Sequence, residues 1–124
     1  MRNEEFEKES QILRDLRITE EQLDDIDKKL RDYTELEDSV NEAYFKEEQF
    51  LSLIFDSWHH SDLAPMLNEM DEDQRESKRY SNERLEEYSQ QLRQEYEQLV
   101  EKEEALQKEK TKLSTSERNN TDVT

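Results

Sequence analysis

The sequence predicts an all-α protein: two long antiparallel helices forming a coiled-coil-like helical hairpin. Three observations carry this. The 124 residues contain no glycine and one proline, Pro65, close to the middle. Apolar residues recur at alternating steps of three and four on both sides of that proline, which places them on one side of a helix. Only 30% of the chain is hydrophobic and 43% is charged, too little apolar content for a compact globule. Such a composition fits either a disordered chain or long helices that bury a narrow stripe, and the periodicity selects helices over most of the length.

The first helix is expected over residues 4–58. Asn3 can cap it, and Glu4 and Glu5 suit the first-turn dipole. Leu16, Leu23, Leu30, Tyr44, Leu51 and Trp58 form one apolar line, broken by Glu37. Ile26, Tyr33, Val40 and Ile54 form a second, broken by Glu47. The intervening Glu, Gln, Lys, Arg and Leu are good helix formers. A turn is expected over residues 59–62. There Asp62 is the better cap for the next helix and puts Pro65 in its first turn, where a missing donor costs little.

The second helix is expected over 63–113. It carries leucines at a spacing of seven: Leu85, Leu92, Leu99, Leu106 and Leu113. Tyr88 and Tyr96 widen this seam, whereas Glu95, Glu103 and Lys110 thin it, so it suits one face of a multi-helix assembly better than a two-stranded zipper. Each arm could run roughly 75 to 80 Å at the α-helical rise. Near-equal arms about a central turn favour a hairpin, here assigned to residues 1–113. Residues 114–124 are rich in Ser, Thr, Asn and Asp and are expected to be a disordered tail.

The apolar content is uneven. Tyr44, Phe45, Phe50, Leu51, Leu53, Ile54, Phe55 and Trp58 widen the first helix near the turn well beyond a seam. If the chain folds back near residue 60, Leu63, Met66, Leu67 and Met70 can cover part of this. Beyond them, residues 71–79 contain nothing apolar. Two readings compete. Phe45, Phe50 and Phe55 close the hairpin tip, or seven residues, Tyr44, Phe45, Phe50, Leu51, Ile54, Phe55 and Trp58, form a partner-binding surface.

No catalytic, cofactor or metal site is expected. His59 and His60 are adjacent, and neighbouring helical residues point about 100° apart, which chelates one metal poorly. A phosphate-binding loop needs glycine and a thiol nucleophile needs cysteine, and the chain has neither. Ser57, Ser61 and Ser77 lack a paired base of any recognisable spacing. The net charge of -17 repels phosphate and anionic lipid, so neither nucleic acid nor membrane is an expected partner. A basic protein surface is favoured instead. The N-terminal residues lack the apolar stretch of a signal peptide. The chain is therefore expected in the cytoplasm, with export, if any, alongside a partner.

Two long helices, a central turn holding the sole Trp, and the tip segment Phe55-Asp56-Ser57-Trp58-His59-His60-Ser61-Asp62-Leu63 resemble the WXG or ESX-type hairpins of Gram-positive type VII secretion. The third motif position is His60 where that family has Gly. The layout over roughly residues 1–113 is more similar to the small helical partner proteins encoded beside LXG-domain toxins. That resemblance implies a non-catalytic, chaperone-like adaptor that packs against the toxin's helical LXG domain or a sister hairpin and helps its export. Tyr33 with Glu37 and Tyr44 with Glu48 match the Tyr-x-x-x-Asp/Glu letters of a type VII signal, but lie in the first arm. The alternative expectation, motivated by the leucine seam, is a structural coiled-coil protein forming a homodimer or four-helix bundle.

Overall fold

In the computed structural model, the backbone is described over residues 2–122 and the side chains over 3–116. Helix α1 spans Arg2–Trp58 and helix α2 spans Ala64–Asp122. The two pack against each other as a helical hairpin, and no strand occurs among the described residues. None of the described helices is long and apolar enough to cross a membrane.

The helix ends differ in detail from the sequence expectation. Asn3 lies inside α1 and does not cap it. Helix boundaries shift by a residue or two without changing the packing. Residues 114–124, expected from composition to be a disordered tail, are helical through Asp122; Val123 and Thr124 lie outside the described residues. Nothing in that segment forbids a helix, since it holds neither Gly nor Pro. Thr111 and Thr115 donate their hydroxyls to the carbonyls of Gln107 and Thr111 one turn back, at 2.9 Å each, and so follow the helix they sit in.

The hairpin divides into two compact units. The first comprises Met1–Lys29 and Leu92–Thr124. Here Ile12, Leu16 and Leu106 form a buried cluster, and Leu113 packs against it. Ile26 and Leu92 are also buried. Thr19 falls on the same stripe as Ile12, Leu16 and Ile26 and is fully enclosed, at 0% exposure. Its hydroxyl donates to the Asp15 carbonyl at 2.7 Å, so a polar atom sits in the seam without an unmet hydrogen bond.

The second unit is Leu30–Gln91. Its buried apolar side chains are Tyr33, Leu51 and Leu67. The Tyr33 ring lies against Tyr88, centroids 6.0 Å apart and tilted by 47°. Gln74 and Ser89, on well-separated turns of α2, are buried as well. This unit therefore closes on a mixed seam, whereas the first closes on an aliphatic one.

Truncation should read out the difference between seam and surface. Leu16→Ala is expected to lower stability by about 2–4 kcal/mol through lost burial and a residual cavity. Leu13→Ala, at an exposed position on the same helix, should change it by less than about 1 kcal/mol. Urea unfolding followed by circular dichroism measures both.

Candidate functional site at the hairpin tip

The turn is built on Ser61. Its backbone N–H and its hydroxyl both donate to the Trp58 carbonyl, at 3.0 and 2.6 Å, and so close the end of α1. The same hydroxyl oxygen accepts from the Leu63 N–H at 3.2 Å, and the Ser61 carbonyl accepts from Ala64 N–H at 3.1 Å. Leu67 N–H donates to the Leu63 carbonyl at 3.0 Å, the first bond of α2. Leu63 thus holds the cap position expected for Asp62. Pro65 falls among the opening residues whose N–H groups have no helical acceptor, so its missing donor is harmless. A short serine that can bond in both directions explains how two helices reverse here without glycine.

His59 stays attached to α1. Its N–H and its Nδ1 both approach the Phe55 carbonyl, at 2.9 and 2.8 Å. A carbonyl only accepts, so Nδ1 carries the proton. The ring stacks on Phe55, with centroids 5.4 Å apart and 16° between planes, and the His60 ring is 3.7 Å from it. Among the described residues, no group of three or more His, Cys, Asp or Glu side chains could hold a metal ion.

The seven tip residues do not act as one set. Leu51 is buried within the hairpin, and Tyr44 and Ile54 are half-buried. Phe45, Phe50, Phe55 and Trp58 are exposed, with Phe50 at 59%. The aromatic rings therefore do not close the tip. The expected cover from α2 is also thinner than the sequence suggests. Leu67 is buried at 4%, but Leu63, Met66 and Met70 stand open and enlarge the apolar surface they were expected to cover. Leu53, at 68%, belongs to that surface too. A helical wheel explains this: Leu67 shares the inward stripe of α2 with Gln74, whereas Leu63, Met66 and Met70 form their own stripe one position earlier.

Below the tip, polar groups of residues 71–81 meet the first helix. The Tyr44 hydroxyl sits 2.7 Å from the Ser81 hydroxyl and 3.0 Å from that of Ser77, and donates to the Ser77 carbonyl at 3.1 Å. The small serines leave room for the ring. Glu48 accepts from Lys78 Nζ at 2.7 Å and from Gln74 Nε2 at 3.4 Å. These pairs centre the fold-back near residue 61 and fix the register with directional bonds. The hydrogen bond from Lys78, then that from Gln74, holds the Glu48 carboxyl below the usual carboxylate range. Tyr33 is shifted the other way: its phenol is raised, first by its hydrogen bond to the Glu37 carboxylate and then by burial.

What this geometry defines is a class: a long helical hairpin whose turn end carries an apolar surface that its own second helix leaves uncovered. Residues 7–113 match the model of a family described as a protein of unknown function, DUF3958, and the chain belongs to that family. No curated protein and no solved structure matches the chain.

The Glu48 pairing carries a pH signature. Its folded-state pKa is lowered, so its contribution is present above the unfolded carboxylate value and is lost as pH falls through the folded one. Glu48→Gln should therefore unfold at a lower temperature than the native chain near pH 7. The two melting temperatures should converge as the pH is lowered through the carboxylate range. The gap should also shrink in about 1 M salt, because the Lys78–Glu48 pair is solvent-accessible.

Proposed function

We propose that this chain is a non-catalytic helical adaptor. It packs against the helical LXG domain of a toxin, and through that contact helps the toxin reach the type VII secretion system. One observation carries the reading: Phe45, Phe50, Leu53, Phe55 and Trp58 on α1, with Leu63 at the cap of α2 and Met66 and Met70 within it, are exposed around a single turn. Apolar surface of this kind is costly to leave in water and marks binding sites. Aromatic and Met side chains are enriched where protein contacts concentrate their energy. The hairpin layout with its sole Trp at the turn supports the type VII assignment by resemblance.

Leu51 has a different job from the others. It is buried in the hairpin and holds the tip together, so it meets no partner directly. The leucine row that motivates the self-association reading is largely used within the molecule. Leu92 and Leu106 are buried and Leu85, Leu99 and Leu113 are half-buried, which leaves little of that row for a second hairpin.

The test is co-purification after co-expression with the open reading frames that flank the gene. The native chain should carry an LXG-domain product through affinity and size-exclusion steps. Phe45→Asp, Phe50→Asp and Phe55→Asp combined should lose it while keeping the helical circular-dichroism signal, since all three side chains are exposed. A triple variant that still co-purifies would remove the tip from the contact.

A further inference from the structure

The exposed apolar residues at the tip separate onto two flanks with different chemistry. Each flank is defined by its position relative to the inward stripes. Ser52 and Phe55 follow the inward Leu51 and Ile54 by one residue, and Asn68 and Arg75 follow Leu67 and Gln74 by one. These four residues, with Glu48 and Asp71, line one groove. Farther along, Arg79, one after Lys78, lines a second groove that shares Glu48 and Arg75 with the first. Residues one after the seam thus share a side on both helices. Residues one before the seam must share the other side, because the helices are antiparallel and equivalent flanks meet.

That second flank reads differently. Phe50 and Leu53 on α1, Met66 and Met70 on α2 and Leu63 at its cap all precede a seam residue by one, and all are exposed. Next come Glu47 on α1 and Asp73 on α2, again one before the seam and exposed. Ala43 and Ser77 follow on the two helices, both exposed and both small, so a third helix can approach closely there. Beyond them the same flank carries Leu36, Tyr80 and Tyr88, also exposed. The succession of surfaces along the flank is apolar, acidic, small, apolar. It runs over about 35 Å, the length of roughly 23 helical residues. Arg84 is the cation on this stretch; its guanidinium lies 5.2 Å from the centre of the Tyr80 ring and pairs with Glu87.

We propose that this flank docks one helix of a partner protein, whose apolar stripe is interrupted near its middle by lysine or arginine. The apolar ends would bury against Phe50, Leu53, Met66 and Met70 at one end and Leu36 and Tyr88 at the other. The central cations would meet Glu47 and Asp73. Charge selects this occupant over a second copy. A symmetric pair of hairpins lays Glu47 and Asp73 against their own counterparts, in a chain already at -17, and like charges brought together disfavour the contact. Nearby Lys46, Arg75 and Lys78 are engaged within the chain by Glu42, Asp71 and Glu48, which leaves the two acids for an outside cation. The inference rests on the adaptor reading and specifies the surface and chemistry of that contact.

The test uses the full chain and three synthetic helical peptides of about 23 residues. One has leucines at i, i+3, i+4 and i+7 near both ends with lysines between. The second carries glutamates in place of the lysines. The third is a scramble of the first, with equal charge and no stripe. Isothermal titration should show the striped lysine peptide binding about tenfold or more tighter than either control. Met66→Glu with Met70→Glu should weaken it by a similar factor, as should Phe50→Glu with Leu53→Glu on the other helix. Glu47→Lys with Asp73→Lys should abolish the preference for lysine over glutamate. Ser52→Gln with Asn68→Gln, exposed on the opposite flank, should leave binding unchanged.

Equal binding of the scramble would reduce the effect to bulk charge and overturn the proposal. So would loss confined to the Ser52 and Asn68 variant, or a lysine preference that survives both charge reversals. A dimer of the chain alone, seen by light scattering and dissociated by the Met66 and Met70 variant, would also overturn it. Co-purification separates the two readings. If the LXG-domain product stays with the Met66 and Met70 variant, this assignment fails and the adaptor stands; if it never binds the native chain, both fall.

Discussion

A pair of helices can cover only one stripe on each, and everything distinctive about this molecule follows from that constraint. An α-helix presents its side chains around a full circle, and a single neighbour shields roughly a third of it. Through most of α1 the sequence respects the limit, offering apolar residues only at steps of three and four. Within Met1–Lys29 and Leu92–Thr124 the result is a self-sufficient seam, with Ile12, Leu16 and Leu106 enclosed together. Around residues 45–58 the sequence exceeds the limit. No adjustment of the turn can bury Phe45 and Phe50 together, because they lie on opposite sides of the stripe that Leu51 occupies.

Much of this architecture is legible in the sequence, because both determinants are local. Helix periodicity and the absence of glycine specify the arms, and Pro65 marks where the second one starts. The turn itself is harder to read. Asp62 has the side chain of a good cap, yet the helix begins one residue later, because Ser61 satisfies the open groups from outside the helix. The stretch 71–81 is harder still. Gln74, Ser77, Lys78 and Ser81 carry no hydrophobic period, so nothing marks them as partners of α1 until the fold-back register is known. Once it is set near residue 61, Tyr44 meets the two serines and Glu48 meets Gln74 and Lys78. A polar run that on composition alone has nothing to pack against α1 is what fixes its alignment.

The same register decides which residues form the candidate surface. Counted along the chain, Leu63, Met66, Leu67 and Met70 look like a single apolar turn able to roof the first helix. Counted around the helix, only Leu67 faces it. A helical wheel drawn from the sequence already groups Leu53, Met66 and Met70 away from the seam. Their exposure follows only once it is known that α2 offers its neighbour one stripe and no more.

Polar seams and apolar surfaces have complementary consequences for specificity. In the unit Leu30–Gln91, few apolar side chains are buried, and directional bonds from Tyr44 and Glu48 supply part of the alignment. Such bonds add little net stability, but they discriminate strongly between registers, since a slip of one turn strands a charged or hydroxyl group against the wrong neighbour. A hairpin held this way keeps Phe50, Leu53, Met66 and Met70 in a fixed arrangement without burying them. On the proposed reading, that apolar surface is preorganised for a partner helix, and the acidic residues around it disfavour association of the chain with itself until that helix binds. A chain that committed its aromatic residues to its own core would be more stable alone and would have nothing left to bind with.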